Sequence, residues 1–106
     1  SAGQWLLNSD HEESVSEVSL IEQGKAEVRE FIIDRTFVDN GIRWIIDYKS
    51  SEPESGESLE QFFIREIALY KEQLVRYAGL YRKIESRPIK TALFFTAIGE
   101  FVEVTA

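Results

Sequence analysis

The chain has 106 residues, which is enough for one domain with a modest hydrophobic core and excludes a second domain. It contains no cysteine, which excludes disulfide frameworks, thiolate nucleophiles and cysteine-ligated zinc, and its net charge of −7 argues against a free-standing nucleic-acid binder with a basic patch. Hydrophobic residues make up 43% without an apolar run long enough to span a membrane, and no signal peptide is visible, so we expect a soluble, cytoplasmic protein.

The N-terminal third of the chain predicts two strands after a short polar segment. Residues 5–7 form an apolar anchor, and the polar turn that follows holds the single histidine, His11. A histidine among Asn, Asp and Glu is more often a solvated turn residue than a ligand, so His11 receives no site role. Apolar and polar residues alternate over 15–23, which predicts a strand that turns at Gly24. Residues 25–38 are then the second, longer strand.

Asn40 and Gly41 lie between two apolar-rich runs, and this is the strongest short-range signal for a β-hairpin. With these two residues as the loop, counting back along both strands places Asp34 opposite Asp47. Facing side chains of an antiparallel pair have Cβ atoms about 4.5–5.5 Å apart, and like charges there are destabilising. An acid pair in this position therefore indicates a site.

Lys49 completes this group, because the two-residue period of a strand puts it on the same face as Asp47. Two carboxylates beside an ammonium group can hold a hard divalent cation such as Mg²⁺, which prefers oxygen ligands and keeps several waters. The lysine would then contact a phosphate or steady a water. The alternative is an ordinary solvated strand face, on which Asp and Lys are common.

A long amphipathic helix is predicted after the loop at 50–56. Ser58 and Gln61 have the spacing of a capping box, and apolar residues recur with the helical period from Leu59 to about Glu85. Gln73 and Tyr77 are four residues apart on one helix face, where either could reach the acid pair or a phosphate. The alternative is a surface glutamine and a core tyrosine.

The C-terminal part predicts two more strands. Pro88 ends the helix, residues 89–97 form a strand covered on both faces, and residues 101–104 form an edge strand after a turn at Gly99. Strand, helix and strand make a crossover that places the 89–97 strand parallel to the second hairpin strand. The predicted fold is an α/β (α+β) mixed sheet of order β-β-β-α-β-β with one long helix on one face. Its other face lacks a visible cover, which suggests an absent N-terminal helix, a dimer partner or the rest of a larger protein.

Three segments, taken together, resemble the motifs of PD-(D/E)XK nucleases of the RecB type. They are Ile33-Asp34-Arg35, Asp47-Tyr48-Lys49 and the segment Gln73-Leu74-Val75-Arg76-Tyr77-Ala78. The chain is similar in particular to the C-terminal nuclease domain of UvrD/Rep-type helicase–nucleases, from about residue 5 to residue 104. The resemblance implies a restriction-endonuclease-like core.

The resemblance also implies roles for the five residues. Asp34 and Asp47 would ligate Mg²⁺ or Mn²⁺, Lys49 would position or activate the attacking water, and Gln73 and Tyr77 would support the site and the DNA strand. The expected function is a metal-dependent DNA exonuclease domain in DNA repair or recombination. ATP would be used only by helicase domains upstream in the same chain.

One feature departs from the family pattern. Family members carry a helix before the first strand that brings a histidine to the site, whereas His11 lies in the predicted turn. We therefore expect residues 1–106 to be a single partial nuclease domain, a fragment of a larger helicase–nuclease that lacks the N-terminal family helix. The alternative function is a catalytically inactive nuclease-fold module that guides DNA or docks a subunit.

Overall fold

The computed structural model describes residues 12–23 and 28–105, with side chains described from residue 33 onward. The predicted anchor at residues 5–7, His11 and the turn at Gly24 lie outside the described residues. The elements, in chain order, are β1 (Glu12–Gln23), β2 (Val28–Asp39), β3 (Ile42–Lys49), α1 (Leu59–Arg82), β4 (Ile89–Phe95) and β5 (Glu100–Val104).

The five strands form one mixed sheet in the order β1-β2-β3-β4-β5. Three neighbouring pairs are antiparallel, and β3 pairs with β4 in parallel. α1 makes the crossover that a parallel pair requires. The predicted fold class and the predicted β-β-β-α-β-β order are confirmed.

The hairpin between β2 and β3 has the predicted loop and register. Asn40 and Gly41 both have positive φ, 55° and 76°, as a two-residue type I′ loop requires. Pairing then runs from the loop to Arg35 and Ile46, where the described ladder between these strands ends. It stops one pair before the predicted pairing of Asp34 with Asp47. β3 continues its pairing with β4 beyond this point, as far as Lys49.

α1 begins with the predicted capping box and ends earlier than predicted. Ser58 Oγ accepts from the Gln61 backbone N–H, and the Gln61 side chain accepts from the Ser58 backbone N–H. The helix ends at Arg82, and the next two backbone N–H groups donate to carbonyls three residues earlier, which tightens the last turn. Just beyond it, Glu85 binds Arg43 of β3, with Arg43 Nη2 and Glu85 Oε1 2.9 Å apart. No helix in the described part of the chain is both long and apolar enough to cross a membrane.

β4 also ends before the predicted boundary at residue 97. After Phe95, the Thr96 backbone N–H donates to the Lys49 carbonyl over 2.9 Å, and the chain turns back at Gly99 with φ of 65°. The end of β4 is therefore tied to the end of β3. The interior of β4 is buried as predicted, since Ala92, Leu93 and Phe95 are fully buried.

The main core lies between α1 and one face of the sheet. It joins apolar residues of β2, β3, β4 and β5 to one stripe of the helix: Ile33, Ile45, Phe62, Leu74, Tyr77, Tyr81, Leu93, Phe95 and Val104. Ile84, which follows the last helical residue, takes no part in this core and is 68% exposed. This core fixes the rotation of α1 over the sheet.

A second cluster lies on the opposite face of the sheet. Its buried members are Phe37, Trp44, Ile46 and Ala92. The sequence predicted that this face lacks a visible cover, to be supplied by an absent N-terminal helix, a dimer partner or the rest of a larger protein. At the centre of the face Phe37, Ile46 and Ala92 are fully buried.

Candidate functional site

The candidate site begins where β2 and β3 stop pairing. Ile33 packs in the core under α1 and Phe37 in the cluster on the other face, although simple alternation along β2 would give both the same face. The alternation of side chains between the two sheet faces is therefore interrupted between Ile33 and Phe37 of β2. There, the Tyr48 backbone N–H donates to Asp34 Oδ2 over 2.8 Å. Beyond the last pair of the ladder, a side-chain carboxylate of β2 is thus the hydrogen-bond acceptor for a backbone N–H of β3.

Asp47 lies at this opening with its side chain only 7% exposed. Lys49 Nζ is 2.9 Å from Asp47 Oδ2, an ion pair by distance. Within the described part of the chain the buried Oδ2 has no hydrogen-bond donor other than this ammonium group. Burial, reinforced by a hydrogen bond with the Asp34 carboxyl, raises the pKa of Asp47 from 3.8 to about 6, against the opposing effect of Lys49. The two acids are therefore close neighbours.

Lys49 is held on two sides. In addition to Asp47, its Nζ lies 3.7 Å from the centroid of the Tyr70 ring, which α1 presents from above the sheet. The lysine side chain is 19% exposed. Its positive charge is thus kept at the acid pair, in a partly desolvated position.

Gln73 and Tyr77 reach the site from α1. Gln73 Nε2 donates to Tyr77 Oη over 2.8 Å. Burial raises the pKa of Tyr77, and the negative charges of Asp47 and then Asp34 raise it further, while the bond from Gln73 opposes this. Tyr77 is therefore both a core residue and an electrostatic neighbour of the acid pair. Gln73 lies on the exposed side of the same contact.

The structure thus brings all five predicted site residues together. Sequence reasoning missed one neighbour on α1, Tyr70, whose ring lies over Lys49. The spacing of Tyr70 to Gln73 and Tyr77 was a signal, because residues three and seven positions apart share a helix face. Glu66 is fully buried one turn earlier and accepts a hydrogen bond from the Ser51 hydroxyl.

These residues fit a divalent cation held by two carboxylates. Mg²⁺ in proteins is commonly bound through one or two carboxylates together with waters and substrate phosphates. Asp34 and Asp47 supply the carboxylates, and Asp47 Oδ2 is a buried oxygen whose only donor among the described residues is the Lys49 ammonium group. From residue 33 to residue 105, no group of three or more His, Cys, Asp and Glu side chains is close enough to hold a metal ion.

No protein-family model and no curated protein matches this sequence. A functional assignment therefore depends on the geometry of these side chains and on the motifs that they form.

Proposed function

We propose that this chain is the metal-dependent DNA exonuclease domain of a helicase–nuclease, which hydrolyses phosphodiester bonds in DNA repair or recombination in the cytoplasm. One observation carries the proposal. Asp34, Asp47 and Lys49 converge where β2 and β3 part, and within the described part of the chain the buried Asp47 Oδ2 has no donor other than the Lys49 ammonium group. Two acids and a lysine in contact are the groups that metal-assisted phosphodiester hydrolysis uses.

Asp34 and Asp47 are the residues that would hold Mg²⁺ or Mn²⁺. When bound, the cation would supply a water of lowered pKa and neutralise charge on the phosphate. Asp47 has to be ionised for this role. Because its pKa is about 6, ionisation is largely complete at pH 7 and above. Below pH 6 the buried, protonated carboxyl would be a poor ligand.

Lys49 provides positive charge next to the scissile phosphate. Its ammonium group is already positioned beside Asp47, and a fixed cation at the place where negative charge develops lowers the barrier without further reorganisation. Gln73 fixes the position of the Tyr77 hydroxyl by donating a hydrogen bond to it. Gln73 is exposed, so a DNA strand that lies along α1 would contact it. Both residues would thus support the site and the DNA.

The proposed partners rest on the resemblance to helicase–nucleases, and the charge of the chain is in keeping with them. A net charge of −7 is unfavourable for binding DNA by electrostatics alone. The proposal therefore includes helicase domains upstream in the same protein, which would supply basic surface and use ATP to feed DNA strands to this site.

A second candidate is a catalytically inactive nuclease-fold module that guides DNA or docks a subunit. One observation favours it, since the described residues contain no third acid at the site. A two-carboxylate site binds metal more weakly than a complete shell. The two candidates differ in whether DNA is cleaved.

The test is degradation of end-labelled single- and double-stranded DNA with Mn²⁺ or Mg²⁺ at pH 8. We expect metal-dependent cleavage by the wild type, and at least about a hundredfold loss in Lys49→Met, since removing one charge-stabilising group at a reaction centre commonly costs this much. Lys90→Met is the matched control, because Lys90 is an exposed lysine on β4. Cleavage that needs no metal, or that survives Lys49→Met, would refute the proposal. DNA binding without cleavage would establish the second candidate.

A further inference from the structure

The Lys49 ammonium lies between a carboxylate and an aromatic ring. Its Nζ is 2.9 Å from Asp47 Oδ2 and 3.7 Å from the centroid of the Tyr70 ring. With the Asp47 and Lys49 side chains only 7% and 19% exposed, both contacts are made largely away from water. A cation that is attracted to a ring face is held more strongly when it is desolvated.

The ring matters because a divalent cation would need the oxygen that Lys49 faces. Asp47 Oδ2 is the buried oxygen that fits a metal ion, so the ammonium and the metal compete for it. An ammonium displaced from Oδ2 would leave for solvent unless a second partner stood within reach. Tyr70 is such a partner, and it belongs to α1, which is packed on the sheet by the main core.

We propose that Tyr70 is a positioning residue, whose ring holds the Lys49 ammonium beside the acid pair. The role toward a metal ion rests on the proposed function, whereas the contact itself does not. The ring face is the attracting group, so the hydroxyl is dispensable. Tyr70→Phe should therefore behave as the wild type, and Tyr70→Leu should release the lysine.

The first measurement is NMR of the lysine side chains. Protons above an aromatic ring shift upfield, so the ε-methylene protons of Lys49 should be shifted in the wild type and in Tyr70→Phe, and unshifted in Tyr70→Leu. Lys90 is the internal reference, since its Nζ lies 5.6 Å from the Trp44 ring centroid on another part of the sheet. Its signals should not respond to changes at Tyr70. An unshifted Lys49 in the wild type would overturn the proposal.

The second measurement is Mg²⁺ affinity by calorimetry at pH 8. The ring holds a competing cation beside Asp47 Oδ2, so Tyr70→Leu, which releases the ammonium, should strengthen Mg²⁺ binding about three- to tenfold, the factor expected for a cation–π contact. Tyr70→Phe should keep the wild-type affinity. Equal affinity in the wild type and Tyr70→Leu would overturn the positioning role.

The two measurements separate this proposal from the proposed function. A wild type that shows the Lys49 ring shift and binds no Mg²⁺ would refute the metal site and support the holding of Lys49 by Tyr70. Equal Mg²⁺ affinity in the wild type and in Tyr70→Leu would support the metal site and refute the role of Tyr70.

Discussion

The substitution Asp47→Asn tests the electrostatics of the site through the stability of the fold. Asn has the shape of Asp and no charge. Its amide can accept from Lys49 on one side and donate to the Asp34 carboxylate on the other. Because burial and Asp34 disfavour ionised Asp47, we expect the variant to be more stable than the wild type at neutral pH. A surface aspartate would show no such gain.

The magnitude follows from the pKa of Asp47, which is 3.8 ordinarily and about 6 in the folded protein. A tenfold change in proton affinity corresponds to about 1.4 kcal/mol, so ionised Asp47 costs the fold about 3 kcal/mol at pH 8. The folded state binds the proton more tightly, so the wild type regains stability as the pH falls through 6. By pH 5 it should have regained about half of this cost relative to the variant, and the full amount is present only below the unfolded pKa.

The assay is urea denaturation of both proteins at pH 8 and pH 5 in metal-free buffer. The free-energy advantage of Asp47→Asn should shrink by about half between the two pH values. Glu52→Gln is the control, because it removes one charge from an exposed loop residue and should change stability equally at both pH values. A variant less stable than the wild type at pH 8, or an advantage independent of pH, would refute the reasoning.

Two further substitutions test the fold around the site. Gly41→Ala should cost about 1–2 kcal/mol of unfolding free energy through its positive φ alone, since an added Cβ meets no atom within 4 Å, whereas Gly79→Ala in the interior of α1 should be neutral or stabilising. Equal effects of the two would contradict the assigned loop geometry. Glu85→Ala should cost about 3 kcal/mol in thermal or urea unfolding, because it removes the carboxylate that faces the buried Arg43 guanidinium. Glu103→Ala, which breaks an exposed pair with Lys90, should change stability by less than about 1 kcal/mol, and a comparable loss in both would refute the importance of burial.

The parts of the fold that the sequence predicted depend on local chemistry. The Asn40–Gly41 loop sets the register of the hairpin, because only a few loop conformations match the twist of the strands. Ser58 and Gln61 likewise define the start of α1 through a reciprocal pair of hydrogen bonds. In both cases the residues that determine the structure lie within a few positions of it.

The ends of two elements were predicted less well. α1 ends at Arg82 rather than near Glu85, because its last turn tightens into bonds to carbonyls three residues earlier. β4 ends at Phe95, where its pairing with β3 also ends, although apolar residues continue beyond this point. Apolar periodicity continues past both ends, so the local pattern alone does not locate them.

At the candidate site, too, some features follow from the local sequence and others do not. The period of the strands and the hairpin register placed Asp34, Asp47 and Lys49 together. That the β2–β3 ladder stops at Arg35 was not predictable, because it follows from the interrupted alternation along β2. The contact of Tyr70 with Lys49 depends on how α1 is rotated over the sheet, which the core packing decides.

Calorimetric titration of Mg²⁺ and Mn²⁺ tests the central claim, that the end of the hairpin forms a metal site, most directly. We predict one binding event in the wild type and a loss of at least about tenfold in affinity for both Asp34→Asn and Asp47→Asn. Near pH 6, binding should release about half a proton, because Asp47 is half protonated there, and the release should vanish by pH 8. Absence of binding at millimolar metal, or binding that neither substitution weakens, would contradict the claim.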